Sequence, residues 1–202
     1  MFIFLAALFL FTHAAAQLAP LQYGGQTYKT ARIGTQTWMA ENLNYEAEGS
    51  LCYENISAGC TIYGRLYNWQ TAMKVCPKGW HLPGNADWDK LLRFVDGDKG
   101  TESPYGSKTA GKHLKAARGW DIYEYKGYKG SGTDKYGFSA LPGGYRSPDG
   151  KFSNLGDCGV WWSASEFDGS NAYNYGVFYI YEYVTFDRGG KSHLFSVRCI
   201  KD

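Results

Sequence analysis

The sequence predicts a single α+β domain, with helices in its first half and a loop-rich, aromatic β half after them. Apolar residues recur at helical spacing only before Gly97 and in one short stretch beyond it, whereas from Tyr136 onward short extended runs alternate with Gly and turn residues. The 202 residues, 44% hydrophobic and 17% aromatic, are enough for one full core and show no sign of disorder or a coiled coil. Cysteines near the end of the first helical stretch and near the C-terminus could tie the two halves together.

The first residues, MFIFLAALFLFTHAAAQ, hold an apolar run and then Ala14, Ala15 and Ala16 before Gln17, as a cleaved secretory signal would. The run is too short for a membrane span, which takes about 20 apolar residues. We therefore expect a signal over residues 1–16 and a single domain over 17–202, secreted or held in the periplasm or at the cell surface, with no stable membrane span. No cysteine follows the cleavage site to carry a lipid.

QTYKTARIGTQTWMAENLNY alternates around Gly34, which suits two short strands and a turn. SLCYENISAGC reads as a loop closed by its cysteines. IYGRLYNWQTAMKVC sets Leu66, Trp69, Met73 and Cys76 at helical spacing, a first helix stopped by Pro77 and Gly79. GNADWDKLLRFVDG is a second: Gly84 or Asn85 caps it, Asp87 suits its N-terminal dipole, Trp88, Leu91, Leu92 and Val95 form the buried stripe, and Gly97 ends it. A short helix fits Lys112 to Ala117, and GYRSPDGKF reads as a turn between strands.

In NAYNYGVFYIYEYV, residues 171–184, Tyr173, Tyr175, Tyr179, Tyr181 and Tyr183 fall on odd numbers. In one extended strand they would share a face with Val177, and Phe178, Ile180 and Val184 would take the other. A phenol face opposite an apolar face predicts a half-buried strand, with Tyr179 and Tyr181 the most reachable.

Five cysteines, Cys52, Cys60, Cys76, Cys158 and Cys199, lack the C-x-x-C pairs of a zinc site, and disulfides are the default in an exported chain. We expect Cys52–Cys60, stabilising by roughly 2 to 3 kcal/mol, and Cys76–Cys199, by roughly 5 kcal/mol, in the chain-entropy account. Cys158 is then a buried thiol or an intermolecular link, the buried thiol being commoner.

TWMAENLNY, YGRLYNWQTAM, CPKGWHLPGNADWDKLL, GTDKYGFSALPGGYR, WWSAS and FSVRCIKD resemble, in order, the motifs of the Fibrobacter succinogenes major paralogous domain, over roughly residues 22–202. That family is similar to a branch of the C-type-lectin-like fold that includes formylglycine-generating enzymes, so the resemblance implies a disulfide-stapled α+β fold: two helices of the N-terminal half packed on small antiparallel sheets, with long aromatic- and Gly-rich loops. It implies no established activity. Cys158 stands before WWSAS, where a non-cysteine residue is expected.

Formylglycine generation resembles a reaction that uses two closely placed redox cysteines near the C-terminus, and only Cys199 lies there. A Cys158/His193 nucleophile would need a thiol of lowered pKa beside a base, and nothing local supplies one. His81, His113 and His193 have no metal-ligand spacing, and His81 suits a hydrogen bond at the turn into the second helix. No cofactor is expected, structural calcium excepted. Asp96, Asp98 and Glu102 in DGDKGTE could hold it, as could Glu166, Asp168 and Asn171 in SEFDGSN, although neither loop matches an EF-hand. The sugar-binding triplets of true C-type lectins are absent.

A net charge of +2 argues against nucleic acid as partner, and the basic stretch from Lys108 to Lys135, with Lys112, Lys115, Arg118, Lys126 and Lys129, reads better as a solvated loop face than as an anionic-polymer patch. Binding remains. Trp120, Tyr123, Tyr125, Tyr128, Tyr145, Trp161 and Trp162 all fall in the loop-rich half, although one of the adjacent Trp161 and Trp162 must point inward. Tyr123, Tyr125, Tyr128, Tyr179 and Tyr181 are the candidate ligand residues. Extracellular polysaccharide is the expected ligand. The alternatives are an adhesive contact with a surface protein and, third, an enzyme of altered chemistry on the formylglycine-generating scaffold.

Overall fold

The computed structural model describes residues 18–97, 107–123 and 128–202. Hairpin β1 (Leu21–Tyr23)–β2 (Gln26–Tyr28) leads into β3 (Thr30–Ile33) and β4 (Gln36–Met39), which turn at Gly34 as the alternation predicts. Short elements follow: β5 (Ser50–Leu51), α1 (Ser57–Tyr63), β6 (Leu66–Tyr67), α2 (Trp69–Ala72) and β7 (Trp80–His81). Next come α3 (Asn85–Asp96), α4 (Ala110–Leu114) and the hairpin β8 (Ile122–Tyr123)–β9 (Tyr128–Lys129). The rest is β: β10 (Gly143–Arg146), β11 (Phe152–Leu155), β12 (Cys158–Glu166), β13 (Asn171–Phe178), β14 (Val184–Gly190), β15 (Phe195–Ser196) and β16 (Ile200–Lys201).

The central sheet runs β11-β10-β12-β15-β6-β5, and β13 and β14 branch from β12 as antiparallel neighbours. A second sheet, β3-β4-β16-β7, joins residues 30–39 to the C-terminal strand, with Ile200 paired to Trp38. The β12–β13 pair is buried on both faces. Trp161, Tyr175 and Val177 enter one core with Trp38, the α3 stripe and Phe138, while Cys158, Val160 and Trp162 enter another with Met39, Leu43, Tyr67 and Val197. Trp161 and Trp162 are therefore both inside, one on each side of the strand.

The second helix matches its prediction, with Trp88, Leu91, Leu92 and Val95 buried and Gly97 at its C-cap. The first does not. Residues 57–63 form a helix where a loop was expected, Leu66 lies in a strand, α2 is a single turn, and Met73 is exposed. The cause is Gly64, at φ +75°, where a Cβ would come within 2.8 Å of the Asn42 Cβ and the Leu43 carbonyl. The chain crosses too close to residues 42–43 to continue as a helix, and only glycine fits.

The C-terminal half also differs from short strands and long loops, because β12, β13 and β14 have nine, eight and seven residues. The tyrosine run is not one strand: β13 ends at Phe178, and the chain turns before β14 begins at Val184. Tyr175 and Val177 belong to the core rather than to a phenol face. Disulfides join Cys52 to Cys60 and Cys76 to Cys199, as expected, and Cys158 is a buried free thiol.

Candidate functional site

The fold motifs serve the interior. Asn42 accepts from Trp161 Nε1 at 2.8 Å and from Arg198 Nη2 at 2.7 Å, and its amide donates to the Tyr63 carbonyl at 2.8 Å. Arg198, 1% exposed, also donates to the Phe138 carbonyl and lies over the Phe138 ring at 4.2 Å. Its charge is held by carbonyl and amide oxygens and aromatic faces. Burial lowers its pKa to about 9, which leaves it protonated at neutral pH. WWSAS reaches the start of α3, where Ser165 Oγ accepts from the Asn85 N–H at 3.0 Å and supplies the cap that Gly84 has no side chain to make. Trp120, Trp161 and Trp162 are buried and donate to Ala140, Asn42 and Tyr67 respectively, so they offer no ligand surface.

Two of the candidate ligand residues, Tyr179 and Tyr181, lie in the segment joining β13 to β14, and they differ in access. Tyr181 is 39% exposed and stacks on Tyr183, ring centroids 4.6 Å apart and planes 19° apart. Tyr179 is half-buried against the core. Buried Lys115 holds the segment from beneath, its ammonium donating to the carbonyls of Phe178 at 3.0 Å and Tyr181 at 2.9 Å. The Lys112 N–H donates to the Glu182 carbonyl at 2.9 Å, and Lys112 Nζ pairs with the Glu182 carboxylate at 2.9 Å. Gly111 completes the anchor, since a Cβ there would come within 2.5 Å of the Tyr183 carbonyl.

Tyr123 and Tyr128 are paired residues of the β8–β9 hairpin. Gly130, just after β9, approaches so closely that a Cβ there would lie 2.8 Å from the Tyr179 Cβ. The structure thus brings that hairpin beside the Tyr179–Tyr183 segment. Tyr125 lies outside the described residues.

A second aromatic surface escaped the sequence reading. Tyr173 stacks on Phe186, centroids 4.9 Å apart and planes 14° apart; Phe167 meets Tyr173 edge-on, and the Arg188 guanidinium lies 4.5 Å from the Phe167 ring. Phe167 and Phe186 are 42% and 40% exposed. The register that pairs Tyr173 with Arg188 and Tyr175 with Phe186 assembles the strip. Its signal was the alternation in VTFDRG, which only a hairpin partner makes informative.

The acidic candidates are engaged within the chain. Asp96 accepts from the Lys108 and Thr109 N–H groups at 2.7 and 3.0 Å and from the Thr109 hydroxyl at 2.7 Å; Asp98 and Glu102 lie outside the described residues. Asp168 accepts from the Asn171 amide and the Ser170 N–H, which hold its carboxyl below the usual range, and Glu166 pairs with Lys191. Among the described residues no three His, Cys, Asp or Glu side chains gather as a metal site. His81 does sit at the turn into α3, its Nδ1 2.7 Å from Asp202 and its Nε2 3.4 Å from Asp87. His193 Nδ1 meets the Gly190 carbonyl at 2.9 Å. The Cys158 thiol is pushed up to about 12 by burial and by Asp157, opposite to what a nucleophile needs.

Fold and surface together define a disulfide-stapled mixed α/β domain whose motifs build its core and whose exposed aromatics are held on anchored backbone. The Fibrobacter succinogenes major domain matches residues 31–201, and the chain belongs to that family. Comparison with curated proteins and with solved structures gave no match. Among the described residues no helix is long and apolar enough to cross a membrane.

Proposed function

We propose that the protein is a secreted or cell-surface, non-catalytic binding module of C-type-lectin-like fold, exported by a cleaved signal over residues 1–16, whose ligand is extracellular polysaccharide. The observation that carries the reading is exposed Tyr181, stacked on half-buried Tyr183, on a segment fixed by Lys115 and α4. Flat rings with hydroxyl rims suit the apolar faces of sugar rings, and a platform ordered in advance loses little entropy on binding. The lectin-like fold is supported by the pairing of the early strand β4 with the late strand β16 in one sheet beside irregular aromatic segments, and a non-catalytic role by the protonated, buried Cys158 thiol.

The test is depletion of the mature protein onto insoluble plant and bacterial polysaccharides, with and without calcium. Saturable retention on one polymer, lost in Tyr181→Ala at unchanged melting temperature, is the expected result; absence of retention on every polymer would overturn it. The Phe167–Tyr173–Phe186 strip with Arg188 favours the second reading, adhesion to a surface protein, because aromatic residues and arginine are the types enriched at protein interfaces.

A further inference from the structure

A groove of about 630 Å³ opens between the N-terminal hairpin, the segment before β5, and α2. That volume lies within the roughly 300–1,000 Å³ of small-molecule sites. Tyr23 and Tyr45 line it as a stacked pair, centroids 4.7 Å apart and planes 30° apart. Tyr45 is held on two sides. A Cβ at Gly24, where φ is +57°, would lie 2.5 Å from the Tyr45 ring, so the hairpin turn presses on it, and the Tyr67 hydroxyl donates to the Tyr45 carbonyl at 2.7 Å.

The facing wall is equally fixed. The Asn68 side chain caps α2 by accepting from the Thr71 N–H at 2.9 Å, and the Thr71 hydroxyl donates to the Glu48 carbonyl at 2.7 Å. On this frame the side chains of Gln70, Lys74 and Glu48 are exposed and make no hydrogen bond or ion pair among the described residues, so their donors and acceptors are available to a ligand. Buried Val75 adds an apolar surface.

We propose that this groove is a binding site for a pyranose unit of a neutral oligosaccharide. An aromatic wall takes the C–H face of the sugar, while an amide, a carboxylate and an ammonium reach its hydroxyls. The two charges are of opposite sign, so the groove has no net attraction for an acidic or a basic sugar. Tyr23 and Gly24 precede residue 31, so one wall lies outside the part of the chain that matches the family. The inference shares its ligand class with the proposed function but none of its residues.

The test is calorimetric titration of the full mature protein with cellohexaose, xylohexaose, mannohexaose, laminarihexaose and chitohexaose, in wild type, Gln70→Ala, Tyr23→Ala and Tyr181→Ala. Binding of one hexasaccharide, weakened about tenfold or more by Gln70→Ala and by Tyr23→Ala and unchanged by Tyr181→Ala, is expected. Gln70 is exposed and outside the core, so that variant keeps its fold even if the hairpin of Tyr23→Ala loosens. No binding of any hexasaccharide overturns the groove site, as does binding lost in Tyr181→Ala but kept in Gln70→Ala. Retention on insoluble polymers through Tyr181 would then leave the proposed function standing without the groove.

Discussion

Asn42 is the residue on which the interior polar chemistry converges, since one side chain serves Arg198, Trp161 and the Tyr63 carbonyl. Asn42→Ala leaves the guanidinium with carbonyls and rings alone, and breaking a buried charge's main polar contact costs about 3–5 kcal/mol. Asn42→Asp keeps the acceptor and adds charge attraction but loses the donor to Tyr63, so a smaller loss of about 1–3 kcal/mol is expected for the orphaned carbonyl. Urea unfolding of both variants checks the order, and an equal or reversed loss would show that Arg198 does not depend on this oxygen. Cys158 gives a second test at this scale. With its thiol at about 12 it should resist iodoacetamide in the folded protein at neutral pH and react once unfolded. Alkylation at a free-thiol rate in the folded state would revive the nucleophile reading.

At the scale of elements, the segment from Tyr179 to Tyr183 depends on Lys115. Burial lowers the Lys115 pKa from 10.5 to about 8, against the opposing pull of Glu182, the acidic group that faces it. The unfolded chain therefore holds more protons than the folded one between about pH 8 and 10.5, so this residue's contribution to stability rises with pH across that window. Cys158, raised by burial, works in the opposite direction above its ordinary value of 9.0. The clean measurement is thus wild type against Lys115→Met: the stability difference should shift toward wild type as pH rises through the window, and hydrogen exchange should quicken at the freed segment in the variant. A pH-independent difference would remove Lys115 from the account. The same segment shows why element boundaries were only partly legible. Period-two spacing continues from Tyr173 to Tyr183, but it does not encode a turn, and the turn here is set by Lys115 and α4 from elsewhere in the chain. In α3, by contrast, stripe, cap and terminating glycine lie within fourteen residues, 84 to 97, and the helix was read with its boundaries. Gly64 was in plain view, yet its φ follows from the nearness of residues 42–43, which no local pattern reveals.

Across the whole molecule, the β12–β13 pair lies between two cores, and the β3-β4-β16-β7 sheet pairs residues 30–39, early in the chain, with Ile200–Lys201. Six ordered motifs made the family legible because their residues contact one another: Asn42, Trp161 and Arg198 come from three of them. The ligand surface was less legible, because exposure is a property of register; Tyr173 and Phe186 become a stack only once β13 and β14 are paired. The two disulfides differ in the same sense. Cys52–Cys60 closes a local loop with a separation of 8 residues, whereas Cys76–Cys199 spans 123 and fastens the end of the chain to the segment after α2. Chain entropy alone predicts that replacing both members of the long pair by serine costs about 5 kcal/mol and of the short pair about 2–3 kcal/mol. Packing widens the gap, because Cys199 is fully buried in the second core and a serine there leaves a buried hydroxyl to be satisfied. The long-pair variant should therefore unfold at a much lower denaturant concentration than the short-pair variant. Similar midpoints would mean that the pairing of β16 with β4 and β7 holds the C-terminal strand in place without the covalent link.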